Sequence, residues 1–258
     1  MVKGLEIFRQ HFQAFEQSFV LIGGAACDDW FSYRGLPFRV TKDLDIVLII
    51  EVVDQKFVAA LRRFIDDGGY EIRQRTEDKP ILYRFKNPKN AEYPAMLELF
   101  SRSPEGLDLG KDQRIIPIAA GENTQSLSAI LMDGSYYRLI LDHCEDRDGL
   151  AMATITALIP LKARAWLDLN EREAAGEEVD GKDVGKHRAD VFRLAGSLPA
   201  DAGPELAETI KTDLRRFLDA FPENSPEWTA ILAALKLTFG GNLKPANLID
   251  AIRSYFRL

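Results

Sequence analysis

Apolar residues along 4–17 recur at helical spacing, with Leu5, Phe8, Phe12 and Phe15 on one face. FVLIGG (19–24) reads as a buried strand ending in a tight turn, and AACDDWFSYRG (25–35) as a short helix stopped by Gly35 and Pro37. LDIVLIIEV (44–52) is nearly continuous and rich in β-branched residues, as expected of a central strand covered on both faces. Asp54 stands at the N-cap of a helix over 55–67 that Gly68-Gly69 ends. YEIRQR (70–75), ILYRFK (81–86) and AMLELFS (95–101) read as three more strands, the last two joined as a hairpin through the Asn-, Pro- and Lys-rich turn 87–94.

The pattern is less regular over 103–150, where IIPIA and LSAIL suit short strands and YYRLIL suits either a short helix or a strand. From Thr156 the period becomes helical. Segments beginning at Thr156 and Asp183 are followed by three more, with Pro204, Pro226 and Pro245 near their starts. The expected fold is therefore α/β (α+β): a small mixed sheet flanked by helices over 1–150, then a helical bundle over 151–258. Phe217, Phe221, Trp228, Phe239, Tyr255 and Phe256 are expected in the bundle core.

Composition narrows the function classes. With 46% hydrophobic and 28% charged residues, the chain is that of an ordinary globular protein. No apolar run reaches membrane-spanning length, and the N-terminal dozen residues lack the apolar core of a signal peptide. Two cysteines, Cys27 and Cys144, make neither a disulfide framework nor a four-cysteine zinc site, so a cytoplasmic protein with reduced thiols is expected. A net charge of −7 argues against a sequence-independent nucleic-acid wrapper, though not against a local basic groove. His11, His143 and His187 are scattered and form no metal-protease pattern.

The chemistry concentrates at Asp43-Leu44-Asp45. Two carboxylates two residues apart on a strand share a face, and a divalent cation explains such a like-charged pair better than folding does. Upstream, Gly23-Gly24 form a turn whose backbone can approach a phosphate closely. These features together point to metal-dependent phosphoryl or nucleotidyl transfer. In the strand MLELFS, Glu98 lies between apolar neighbours on one face. It is the candidate third carboxylate, with solvent exposure or pairing with Arg84 on the neighbouring strand as the alternatives.

Gly23-Gly24, a helix, then Asp43-x-Asp45 resembles the first motif of the DNA polymerase beta-like nucleotidyltransferase superfamily. The wording Arg39-x-Thr41-x-Asp43-Leu44-Asp45 is most similar to its AbiEii/AbiGii toxin-type branch. Residues 25–42 separate the two halves of the motif, a longer gap than in compact members, and Gly24 stands where related enzymes often have serine. The resemblance implies Mg²⁺ (or Mn²⁺) held by Asp43, Asp45 and Glu98, and a nucleoside triphosphate bound by Gly23, Gly24 and Thr41. The acceptor would be an RNA or protein hydroxyl, and the partner a cognate antitoxin. Downstream it implies a Lys-x-x-Ala helix carrying Lys162, then Lys182-Asp183 and Asp190. Lys186-His187-x-x-Asp190 is the alternative counterpart. Lys162 would reach the phosphates and Asp183 would share the catalytic role, with a helix cap as its structural alternative. Read as a surface lysine, Lys162 is expected to tolerate substitution by alanine without loss of fold. Two other functions fit the same motif: nucleotidyl transfer to a small molecule, as in aminoglycoside nucleotidyltransferases, and a non-catalytic binding module.

Overall fold

A computed structural model describes residues 2–72, 83–103, 115–118 and 127–258, with backbone alone at 72, 115–118 and 127–131. The predicted strand positions within 73–82 and at 119 lie outside the described residues. Two compact units divide the chain: Met1–Asp29 with Arg39–Ala153, and Trp30–Phe38 with Thr154–Leu258.

The first unit is a mixed sheet with helices. Its strands are β1 (Phe19–Ile22), β2 (Asp43–Leu48), β3 (Glu71–Ile72), β4 (Arg84–Lys86), β5 (Met96–Ser101), β6 (Ile115–Ile118), β7 (Leu127–Leu131), β8 (Cys144–Asp146) and β9 (Ala151–Ala153). Across the sheet the order is β3-β4-β5-β2-β1-β9-β8, and the β6–β7 hairpin joins β5 through β7. β2 lies parallel to β5 and antiparallel to β1, so the most buried strands sit at the centre. β4 pairs with the first half of β5 and β7 with its last residues, so one edge of β5 serves two partners. The short strands β8 and β9 were not foreseen from the sequence, and YYRLIL forms the helix α4 (Gly134–Asp142).

Helix α1 (Leu5–Phe12) is shorter than the predicted 4–17, because residues Gln13–Ser18 tighten into a 3-10 segment with a non-helical Phe15. Phe8 and Phe12 pack against Phe19 of β1 and Phe64 of α3 (Gln55–Gly68), with ring centroids 5.3–5.8 Å apart. Such pairs contribute about 0.5–1.5 kcal/mol each beyond the area they bury. The ends of α3 follow from local chemistry. The Asp54 carboxylate accepts a hydrogen bond from the Phe57 amide at 2.8 Å, a cap worth about 1 kcal/mol. At the other end, Gly69 adopts φ 61 and returns its amide to the last turn.

The second unit is helical: α5 (Ile155–Ala174), α6 (Gly181–Ala195), α7 (Glu208–Asp219), α8 (Trp228–Phe239) and α9 (Pro245–Phe256), with α5 packed on α6 and α7. Phe192, Phe217, Phe221 and Trp228 form its buried aromatic centre. Tyr255 and Phe256 are buried too, and the Tyr255 hydroxyl meets Thr156 Oγ1 at 2.7 Å. Among the described residues no helix is long and apolar enough to cross a membrane.

Candidate active site

The central crossing of the first unit joins β1 to α2 (Gly23–Ser32) through Gly23-Gly24. Gly23 has φ +67, a conformation that costs an L side chain about 1–2 kcal/mol. A Cβ there would stand 1.7 Å from Asp45 Oδ2 and 2.7 Å from Asp45 Cγ. At Gly24 a Cβ would stand 2.4 Å from Thr41 Oγ1. The two glycines therefore make room for two polar side chains, those of Asp45 and Thr41. Four of the residues singled out in the sequence thus meet at the start of one helix.

Sheet register supplies the rest. β1 and β2 pair Ile22 with Asp45, β2 and β5 pair Asp45 with Glu98, and β5 and β4 pair Glu98 with Arg84. Residues in register on adjacent strands point to the same side of a sheet. Asp45, Glu98 and Arg84 therefore form a row of two carboxylates and one guanidinium. Asp43, Met96 and Lys86 form the next row on the same face. Asp43 and Asp45 are half-exposed, whereas Glu98 is buried.

Burial pushes the Glu98 carboxyl above the usual carboxylate range. Arg84 pulls it back and the neighbouring Asp45 charge pushes it further up, leaving a net rise. Arg84 Nε and Nη2 both reach Glu98 Oε1. Pairing with Arg84, one of the alternatives drawn from the sequence, is thus present, and it does not move Glu98 away from Asp45.

Among the described residues no three His, Cys, Asp or Glu side chains are grouped closely enough to hold an ion together. The oxygen donors of Asp43, Asp45 and Glu98 nevertheless suit Mg²⁺ in kind. That ion is usually held by one or two carboxylates and completed by substrate phosphates, rather than enclosed in an all-protein cage. The adjacent like charges of Asp45 and Glu98 are of the kind such an ion offsets.

In the helical unit, Lys162 is 4% exposed and Asp190 is fully buried. Lys162 Nζ lies 3.5 Å from Asp190 Oδ2, and Arg193 Nη1 donates to Asp190 Oδ1 at 2.6 Å. Arg193 Nη2 donates to the Ala234 carbonyl at 2.8 Å. The reading of Lys162 as a surface lysine is corrected: it sits on the inner face of α5 beside Ala163, with its charge held by α6. Arg193 was missed because, three residues past Asp190, it looks like any basic residue in a last helical turn.

The other downstream candidates lie at the start of α6. Lys182 is exposed, and Asp183 pairs with Lys186 at 2.7 Å. Asp180, not Asp183, caps the helix by accepting from the Lys182 amide at 2.8 Å. The structure thus joins Lys162 to Asp190 and leaves Lys182 and Asp183 a separate group at the helix start.

No protein-family model and no curated protein matches the chain. A solved structure from H. pylori described as a "putative nucleotidyltransferase" aligns over 96% of this chain and 89% of its own, at 14% identity and a TM-score of 0.35.

Proposed function

We propose that the chain is a nucleotidyltransferase of the toxin type. It moves a nucleoside monophosphate from a nucleoside triphosphate to an RNA or protein hydroxyl, in the cytoplasm, as the toxin of a toxin–antitoxin or phage-defence pair. The observation that carries the chemistry is the placement of Asp45. Its carboxylate fills the space where Gly23 lacks a side chain, next to Glu98 in register.

Asp43 and Asp45, with Glu98, are the residues that would hold Mg²⁺. When bound there, the ion would offset the charge on the triphosphate and acidify the acceptor hydroxyl. The amides at the start of α2 point along a helix N-terminus, where phosphate oxygens are favoured. Thr41, held against Gly24, offers a hydroxyl to the same group. The family resemblance alone assigns Lys162 to the outer phosphates; within the helical unit its ammonium is paired with Asp190. The same resemblance assigns Lys182 and Asp183, at the start of α6, to the nucleotide.

The test is binding and transfer with each of the four ribonucleoside triphosphates and Mg²⁺. Calorimetry is expected to show Mg²⁺-dependent binding of at least one. Asp45→Asn should weaken the metal-dependent part and lower transfer by about 100-fold or more, the scale of losing a charge stabiliser of the transition state. If no nucleotide binds with Mg²⁺ present, the chain is instead a non-catalytic binding module.

A further inference from the structure

The row Asp45–Glu98–Arg84 places a cation one strand away from the paired carboxylates. β4 forms an outer flank of the face whose central strands carry the acids, and it presents two bases on that face, Arg84 and Lys86. Both lower the cost of ionising Glu98. Arg84 spends Nε and Nη2 on one oxygen, Oε1, so Oε2 lies outside that contact. A guanidinium is permanently charged and weakly hydrated, which lets it stay at a largely buried carboxylate where a hydrated ammonium would not.

We propose that Arg84 is a resident counter-ion that lowers the affinity of the carboxylate face for a divalent cation. This rests on the reading of Asp43, Asp45 and Glu98 as the metal-holding residues. With Arg84 in place, one of the two adjacent negative charges is already balanced, so an ion approaching Asp45 and Glu98 meets less net charge and a nearby positive one. The face is held together without the ion, and tight binding awaits the negative charge that a triphosphate brings. Arg84 is then a positioning residue that makes retention of the ion depend on the nucleotide.

Mn²⁺ is the probe, followed by electron paramagnetic resonance as the signal of the free ion, without nucleotide. Arg84→Met should tighten Mn²⁺ binding about 5- to 10-fold over the wild type, Arg84→Lys should fall between them, and Arg84→Met/Glu98→Gln should lose the gain. Circular dichroism confirms that each variant is folded, and Arg84→Lys serves if Arg84→Met is not. Equal or weaker Mn²⁺ binding by both folded variants overturns the proposal while leaving the metal reading intact, provided Asp45→Asn weakens binding in the wild-type background. If Asp45→Asn leaves binding unchanged, the metal reading itself fails. Absence of binding in the wild type and in every Arg84 variant overturns the proposal, and the metal reading falls with it if Mn²⁺ still does not bind when a nucleoside triphosphate is added.

Discussion

Gly23→Ala is expected to lower transfer by at least an order of magnitude and to lower stability by about 2 kcal/mol or more. Two costs add. An alanine at φ +67 is strained by about 1–2 kcal/mol. Its methyl carbon would also stand 1.7 Å from Asp45 Oδ2, so the Asp45 side chain must rotate away from the position proposed for catalysis. For a chain of this size, each kcal/mol corresponds to about 2–4 °C in Tm. Differential scanning fluorimetry and nucleotide transfer assays read the two effects separately. Gly23→Ala/Asp45→Ala should regain part of the stability and none of the activity. Gly24→Ala offers a contrast: its conflict is with Thr41 Oγ1, so Gly24→Ala/Thr41→Ala should relieve it. A Gly23→Ala protein as stable and active as the wild type would remove the steric basis for the cradle.

Asp190→Ala should be the most destabilising single change in the helical unit, at about 3–5 kcal/mol. It leaves Lys162 and Arg193 buried without their shared anion. Lys162→Met should cost less, because Asp190 keeps Arg193 and the methionine fills the space of the lysine stem. Urea unfolding monitored by tryptophan fluorescence checks the order, with Trp166 and Trp228 reporting on the helical unit. Lys162→Met also separates structure from chemistry. A folded Lys162→Met protein that transfers normally would leave the Lys162–Asp190–Arg193 group a structural device alone. A folded protein with transfer lowered by orders of magnitude would support a phosphate role.

Much of this was legible along the chain where local signals agreed. β1, β2 and α3 announced themselves through apolar runs, an aspartate cap and paired glycines. Asp43, Asp45 and Glu98 stood out because carboxylates beside buried apolar positions conflict with simple packing. Gly23 and Gly24 were read as a tight turn whose backbone can approach a phosphate, but their further role, yielding volume to Asp45 and Thr41, depends on which strand lies beside them. That is a non-local fact. β8 and β9 carry only Cys144–Asp146 and Ala151–Ala153, too short for alternation to register. The burial of Lys162 was hidden for a related reason: a long polar side chain gives no periodic cue to whether an aspartate on the next helix awaits it.

The boundary between the two units falls inside α2, and the chain returns to the first unit at Arg39. Trp30, Phe31 and Phe38 belong with the C-terminal helices. Trp30 Nε1 donates to Ser197 Oγ at 3.2 Å, Phe31 meets Phe239 edge-on at 6.3 Å, and Thr238 Oγ1 donates to the Pro37 carbonyl at 3.0 Å. A nascent chain that has emerged only as far as Ala153 therefore carries an aromatic segment whose burial surface has not yet been translated. Such segments are where stalled or truncated products aggregate or recruit chaperones. Splitting the gene at the apparent junction would yield two soluble pieces only if residues 30–38 were grafted onto the second.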